Sequence, residues 1–210
     1  MADTSGIRLY HAPRTRSIRA RWLLEEMELP HEIVPVPFDT RPIGDENYDQ
    51  IHPLRKVPVL HDKGTVVMES LAILEYLLGR YGPSPLAVTP DEADYGQYLQ
   101  WLHFGEAGMG MAVNLLLAHS LLLPEKARDP RMAAWALSEV NQLLDFIGKT
   151  GLGEREYLAA DRFTAADISV TYMFYLLKTI RQFDGAPDNL KAYFKRVTAR
   201  DSWAAASALD

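Results

Sequence analysis

The stretch from Lys56 to Leu77, KVPVLHDKGTVVMESLAILEYL, carries a proline inside a short apolar run. Because proline has no backbone N–H, it leaves a gap in a strand ladder and is confined to edge strands or to the first residue of a strand. The residues 62–64, Asp-Lys-Gly, then separate two β-rich runs, 59–61 and 66–68, which predicts a hairpin. The segment therefore reads as a β-hairpin that begins next to Pro58.

A helix is predicted directly behind this hairpin, because leucine and isoleucine recur at helical spacing from Leu71 to Leu78. Glu69 and Ser70 stand at its start. Unpaired backbone N–H groups and the positive end of the helix dipole make such a start a site for an anion, and Ser70 adds a hydroxyl. The alternative is that both residues only cap the helix.

The residues before the hairpin give a strand, a helix and a second strand in succession. Apolar runs predict strands over 7–10 and 32–36, and apolar residues at helical spacing predict a helix over 16–28. This order favours a right-handed parallel crossover. A weak short helix over 42–50 follows, so 1–82 is predicted to be a small α/β domain.

The second part of the chain is predicted to be all-helical. Prolines and a glycine without apolar periodicity mark a linker over 83–91. From there onward a domain over 92–210 is expected. Its helices are predicted over 92–122, 131–149, 164–179, 188–199 and 202–209.

Cysteine is absent, which excludes disulfides, thiolate metal sites and any protein thiol nucleophile. The formal net charge of -6 disfavours a non-specific grip on nucleic acid or anionic lipid. Residues 1–6 are polar and unlike a secretory signal, and the apolar stretch 111–123 is too short and too polar to span a membrane. We therefore expect a cytoplasmic protein with neither nucleic acid nor a membrane as partner.

Four motifs, spread along essentially the whole chain, resemble motifs of the glutathione transferase superfamily. KVPVL is similar to the family's Val-Pro segment, in which a cis-proline precedes the third strand, and MES is similar to the residues that begin its third helix. FTAADI, over 163–168, resembles the capping motif of the helical domain, in which Asp167 is expected to accept N–H bonds from the turn. LYHAPRTRSIRARWLLEEMELPHE, over 9–32, is most similar to a bacterial and fungal group named after a yeast glutathione transferase. The resemblance implies an α/β thioredoxin-like N-terminal domain and an all-α helical-bundle C-terminal domain.

The resemblance also implies a binding site for the tripeptide glutathione as co-substrate. The backbone of Val57, exposed next to a cis-Pro58, would pair with the extended peptide by strand addition. Ser70 would receive the γ-glutamyl carboxylate, and Glu69 would face the α-amino group.

Cationic side chains flank both parts of this expected site. Arg55 and Lys56 would meet the glycyl carboxylate, unless they are solvated surface cations. Four arginines cluster around the start of the first helix: Arg14, Arg16, Arg19 and Arg21. Positive charge there would stabilise a thiolate or attract an anionic peptide, although ion pairs with Glu25 or with the helical domain are the favoured interpretation for Arg19 and Arg21.

The implied reaction adds the glutathione sulfur to an electrophile and needs a thiolate at neutral pH. A free thiol has a pKa of about 8.5, and lowering it by about two units takes roughly 2.7 kcal/mol. A partly buried helix N-terminus, worth up to ~2 kcal/mol, and one hydrogen bond to the charge, worth ~1.5–3 kcal/mol, suffice. The candidate hydroxyls are Thr15 and Ser17. Thr15 has the family's spacing to Arg19 but also fits a local turn, and Ser17 fits the N-cap of the helix.

An electrophile pocket is expected against the long helix predicted over 92–122. Its wall would be formed by four side chains: Trp101, His103, Phe104 and Met109. Such residues at helical spacing are alternatively plain core. Gly105, Gly108 and Gly110 indicate the close approach of a substrate, a helix or a dimer partner. The six histidines show no metal-ligand spacing, so no metal site is expected.

Three functions remain open from the sequence. The first is a detoxifying glutathione transferase that conjugates glutathione to small hydrophobic electrophiles, with or without glutathione peroxidase activity. The second is a glutathione-dependent carrier without significant turnover, and the third is a structural module on the same fold. The resemblance further implies a homodimer.

Overall fold

A computed structural model describes residues 6–38 and 42–208 of the chain, and these form two compact units. The first unit comprises the described residues up to Ala87 together with those from Arg200 onward. The second unit runs from Val88 to Ala199. Within the described ranges, no helix has the length and apolar character needed to cross a membrane.

The first unit is built on a four-stranded sheet with the order β2-β1-β3-β4. Its strands are β1 (Arg8–His11), β2 (Glu32–Pro35), β3 (Val59–Asp62) and β4 (Thr65–Met68). β1 and β2 are parallel, whereas β3 runs antiparallel to both β1 and β4. Lys63 and Gly64 both have positive φ, 48° and 87°, as a tight two-residue hairpin turn requires. The predicted crossover and hairpin are confirmed.

The helices follow the predicted order, with bounds that differ by a few residues. Those of the first unit and the start of the second are α1 (Ser17–Glu26), α2 (Tyr48–Ile51), α3 (Ser70–Tyr81), α4 (Tyr95–His103) and α5 (Gly110–Leu117). The others are α6 (Pro130–Phe146), α7 (Ala165–Thr179), α8 (Asp188–Val197) and α9 (Asp201–Ala206). A mixed sheet with helices, followed by a helical unit, confirms the predicted fold class.

The long helix expected over 92–122 is interrupted by π-helical turns at Phe104–Gly108 and Ala118–Leu122. The first interruption has a local cause in α7. Ser169 Oγ donates a 2.6 Å hydrogen bond to the Leu102 carbonyl, which would otherwise serve the regular helix. A Cβ on Gly105 would lie only 2.6 Å from the Ser169 carbonyl oxygen. Gly105 is therefore needed for the close approach of a neighbouring helix.

The start of α7 carries the predicted capping box. Asp167 accepts hydrogen bonds from the Thr164 backbone N–H at 2.8 Å and hydroxyl at 3.2 Å, from the Leu158 N–H at 3.1 Å and from the Tyr193 hydroxyl at 2.7 Å. Burial raises the pKa of Asp167 to about 6, although these four donors act in the opposite direction. The expected structural role of Asp167 is confirmed.

The last helix, α9, packs on α1 within the first unit, whereas the sequence analysis places it in the helical domain. Trp22 and Trp203 meet edge to face with ring centroids 4.7 Å apart. Glu26 accepts hydrogen bonds from Arg200 at 2.5 and 2.7 Å and from the Ser202 hydroxyl. Burial opposes ionisation of Glu26, but these donors outweigh it and hold its pKa below the ordinary value. α9 thus fixes the outer face of α1.

Candidate functional site

The register of the sheet brings three chain segments to one end of the first unit. Tyr10 of β1 lies opposite Val59 of β3, which lies opposite Met68 of β4. β1 ends at this level, β3 begins there and β4 ends there. The loop into α1, the segment before β3 and the start of α3 therefore all lie at the same end of the sheet.

The segment before β3 offers a free backbone edge. The Val57–Pro58 peptide bond is cis, as the resemblance implies. Within the described ranges, neither the N–H nor the C=O of Val57 makes a hydrogen bond. These two backbone groups are available for main-chain pairing, which is one way that proteins bind an extended peptide.

The start of α3 is an uncapped helix N-terminus. Glu69 holds the N-cap position with φ 68° and ψ 119°, and no side chain caps the helix there. The Glu69 side chain is exposed, whereas Ser70 is buried and its Oγ accepts a 3.3 Å hydrogen bond from Arg19 Nη1. The structure therefore does not show the capping role considered from the sequence. Free N–H groups, a hydroxyl and an exposed carboxylate instead meet at one point.

Arg19 is the buried cation of this arrangement. Its side chain has no exposed surface, and its guanidinium reaches from α1 to the first residue of α3. An ion pair with Glu25 or with the helical domain is the favoured interpretation from the sequence, and the structure adds a contact with Ser70 that brings positive charge to the start of α3. The sequence held no signal for this contact, because it joins residues 51 positions apart.

Ser17 at the start of α1 contacts two other polar side chains, Thr15 in the preceding loop and His11 at the end of β1. Thr15 Oγ1 lies 2.7 Å from Ser17 Oγ, and Ser17 Oγ lies 2.8 Å from His11 Nδ1. α1 begins at Ser17 itself, with Arg16 at the N-cap and no side-chain cap. The predicted capping role of Ser17 is therefore wrong, since its hydroxyl points back to the loop and bonds Ala12.

His11 is a site residue that the sequence reasoning missed. The sequence does contain a pattern that could have predicted it. Leu9 and His11 lie on the same face of β1 because side chains alternate along a strand, and Leu9 is wholly buried. A histidine at the end of a strand, on its core-facing side and just before a helix, is placed to contact the first turn of that helix.

Arg55 has a structural role in this arrangement. Its guanidinium donates to backbone carbonyls of the 43–46 segment and to Asp49. Lys56 is exposed, and its carbonyl accepts a 2.8 Å hydrogen bond from the Tyr48 hydroxyl. Burial raises the pKa of Tyr48 to about 12, which keeps it protonated as a donor. Of the two expected cations, Lys56 alone keeps its charged group available.

The residues expected to line an electrophile pocket divide into two pairs. Trp101 and Met109 are 1% and 0% exposed, and the Trp101 ring contacts Phe104 at a centroid distance of 5.2 Å. Burial leaves these two no surface for a ligand. His103 is exposed and Phe104 half-buried, so the pocket prediction stays open for this pair. Among the described residues, no group of three or more metal-ligating side chains occurs.

The fold and this site define a class of protein: a thioredoxin-like α/β domain with unpaired backbone groups at Val57, followed by an all-helical domain. Sequence models of the glutathione S-transferase N-terminal and C-terminal domains match residues 5–79 and 111–201. Glutathione S-transferase 3 of Schizosaccharomyces pombe is 30% identical over 203 residues, with 91% of this chain and 83% of the relative covered. The chain belongs to the glutathione S-transferase family.

Two further similarities agree with this assignment. Glutathione S-transferase 1 of Saccharomyces cerevisiae is 24% identical, with 95% of this chain and 93% of the relative covered. The crystal structure of a glutathione transferase family member from Pseudomonas fluorescens, with two glutathione bound, superposes with a TM-score of 0.86. It is 25% identical, and the match covers 99% of this chain and 94% of that one.

Proposed function

We propose that this protein is a glutathione transferase that joins the sulfur of glutathione to small hydrophobic electrophiles. The observation that carries the proposal is the convergence of Val57, Glu69, Ser70 and Thr15 at one end of the sheet. Each of these groups matches one part of glutathione. Family membership and the glutathione-bound relative support the same ligand.

The tripeptide would be held at both ends and along its backbone. Its cysteinyl N–H and C=O pair with the C=O and N–H of Val57, as an added strand. Its γ-glutamyl carboxylate meets the N–H groups and hydroxyl at the start of α3, where the Arg19 guanidinium adds positive charge. The exposed Glu69 carboxylate binds the α-amino group, and Lys56 binds the glycyl carboxylate.

Thr15 is the hydroxyl best placed to stabilise the thiolate. Thr15 is 7% exposed whereas Ser17 is 0% exposed, so Thr15 can turn its hydroxyl outward and Ser17 cannot. A hydrogen bond to a charged group contributes ~1.5–3 kcal/mol. Together with the α1 N-terminus, this covers the roughly 2.7 kcal/mol that a shift of about two units in the thiol pKa requires.

The electrophile would then react at this thiolate. Reduction of organic hydroperoxides by the same thiolate is a second outcome of the same chemistry. We further propose that the protein is a homodimer, as the resemblance implies, and that large exposed apolar side chains such as Leu54 contribute to the interface.

Near-ultraviolet absorbance of the thiolate, recorded as glutathione is added across pH, tests the function. The parent protein is expected to ionise bound glutathione well below pH 8. Thr15→Ala is expected to return the thiol pKa to near its free value of about 8.5, and Thr15→Ser to preserve the shift. S-methylglutathione, which has no ionisable thiol, should bind all three proteins equally.

Turnover of a model aromatic halide completes the test. Binding and ionisation together with conjugation support a transferase. Binding without ionisation or turnover would favour the carrier, and absence of glutathione binding would overturn the proposal.

A further inference from the structure

Thr15 is the outer end of a line of polar side chains that runs into the core of the first unit. His11 is 1% exposed and Ser17 is 0% exposed, and both lie behind Thr15. The contacts along the line are short, 2.8 Å from His11 Nδ1 to Ser17 Oγ and 2.7 Å from Ser17 Oγ to Thr15 Oγ1. Buried polar groups linked in this way polarise one another, so the state of one end affects the other.

Ser17 has one hydroxyl proton and three acceptors within reach. These are His11 Nδ1 at 2.8 Å, Thr15 Oγ1 at 2.7 Å and the Ala12 carbonyl at 3.1 Å. The Ala12 N–H in turn donates to Ser17 Oγ at 3.2 Å. The Ala12 carbonyl also accepts the Thr15 hydroxyl at 2.7 Å. The direction of the chain therefore depends on whether His11 Nδ1 carries a hydrogen.

Thr15 must release the Ala12 carbonyl before its hydroxyl can donate to a sulfur atom. If Ser17 donates to His11, it has no proton left for either Thr15 or Ala12. If His11 Nδ1–H donates to Ser17 instead, the Ser17 proton is free to bond Thr15 Oγ1 or to replace Thr15 at the Ala12 carbonyl. Thr15 is released in both of these arrangements, and the Ala12 carbonyl keeps a hydrogen bond only in the second.

We propose that His11, as the Nδ1–H tautomer, and Ser17 are positioning residues that direct the Thr15 hydroxyl toward the thiolate. The donor order is His11 Nδ1–H to Ser17, Ser17 to Thr15, and Thr15 to sulfur. Each oxygen in this chain accepts one hydrogen bond and donates the next, which strengthens the terminal donor. The proposal rests on the proposed function, because it assumes that Thr15 faces the glutathione sulfur.

Nitrogen-15 spectroscopy of the histidine rings reads the tautomer of His11 directly in the unaltered protein with glutathione bound. His11→Asn assigns the resonance among the six histidines of the sequence. We expect the Nδ1–H form. The Nε2–H form, in which Ser17 must donate inward to His11, would overturn the proposal whatever the variants show.

Three variants test the effect on the thiol. An asparagine side-chain amide can place its N–H where His11 Nδ1 lies, whereas leucine fills similar space without a donor. We expect His11→Leu and Ser17→Ala each to reduce the thiolate fraction of bound glutathione about tenfold near neutral pH. His11→Asn should restore most of that loss.

The affinity for S-methylglutathione separates positioning from structural damage. A network that only shapes the loop would weaken binding of this thiol-free probe in the same variants, whereas a donor chain leaves its dissociation constant unchanged. If His11→Leu fails to fold, Ser17→Ala still allows thiol ionisation and S-methylglutathione affinity to be compared, because it removes only a single oxygen.

The outcomes also separate this inference from the proposed function. If Thr15→Ala raises the thiol pKa but Ser17→Ala and His11→Leu do not, the proposed function stands and the donor chain is wrong. If Thr15→Ala has no effect, the assignment of Thr15 fails and the chain fails with it.

Discussion

At the scale of single residues, Glu69 holds a backbone conformation that side chains other than glycine rarely adopt, with φ 68°. A left-handed backbone costs a residue with a Cβ roughly 1–2 kcal/mol relative to glycine. Glycine at this position would relieve that cost, yet the chain carries a glutamate whose carboxylate is exposed at the anion site. Strained residues of this kind concentrate at ligand sites, and the proposed contact of this carboxylate with the α-amino group of glutathione would account for the strain.

Glu69→Gly and Glu69→Ala separate the backbone effect from the carboxylate effect. Both variants lose the proposed contact with the α-amino group, so the dissociation constant for glutathione should rise about tenfold or more in each. Only glycine relieves the backbone, so Glu69→Gly should be more stable than Glu69→Ala by about 1 kcal/mol in urea unfolding. Equal stability of the two variants would show that no strain is held there.

Site residues that depend on local pattern were predictable from the sequence, and those that depend on tertiary contact were not. Val57, Pro58, Glu69 and Ser70 follow from a proline in a strand run and a helix start. The contact between Arg19 and Ser70 spans 51 positions, so the sequence could not show it. At this scale, the sequence predicts which chemical groups a segment offers, but it does not predict which distant residues those groups contact.

At the scale of elements, the start of α7 rests on one buried carboxylate. Each oxygen of Asp167 accepts two hydrogen bonds, and an asparagine would turn an N–H₂ group toward one pair of those donors. Each donor left without an acceptor costs about 1–3 kcal/mol. The helix start therefore depends on acceptor oxygens at this position and not only on the shape of the side chain.

Asp167→Asn is expected to destabilise the fold by about 2 kcal/mol or more at pH 7, with a pH dependence of definite sign. Burial raises the folded-state pKa to about 6, above the ordinary value of 3.8, so the folded state takes up the proton first. The stability from this group is full below pH 3.8 and is lost as the pH rises through 6. The advantage of the parent over Asp167→Asn should thus grow by up to about 3 kcal/mol between pH 7 and pH 4.

Urea unfolding across this pH range measures the effect, and Asp161→Asn is the matched control. Asp161 is exposed, so the same change there shows the effect of replacing a surface carboxylate by an amide. A constant gap between the parent and Asp167→Asn would contradict the raised pKa.

The order of helices and strands was predictable, because hydrophobic spacing and turn residues determine it. The interruptions within a helix were not predictable from the sequence. The run 92–122 carries a continuous helical pattern, yet it breaks at Phe104–Gly108. The break follows from the Ser169 hydroxyl on the Leu102 carbonyl, a contact between two helices distant in the sequence. Gly105, Gly108 and Gly110 indicated a close approach in this region, but they did not predict that the helix would break into a π-helical turn.

At the scale of the whole molecule, several large apolar side chains remain exposed on a single chain. Leu54 and Leu122 are each 70% exposed and Met111 is 65% exposed. Each of them is a candidate contact for a second copy of the chain in the proposed dimer. In a two-fold dimer each interface residue contributes twice, so a single substitution has a doubled effect on association.

Leu54→Asp tests the proposed dimer at its most exposed apolar residue in the first unit. Burying a leucine contributes about 2 kcal/mol, so losing it on both chains costs about 4 kcal/mol and weakens association roughly a thousandfold. Sedimentation should give twice the chain mass of 23.7 kDa for the parent and the single mass for Leu54→Asp at the same micromolar concentration. Leu54→Met keeps the apolar surface and should remain dimeric. A parent that sediments at the single mass would refute the dimer, whereas a dimeric Leu54→Asp would place the interface elsewhere on the surface.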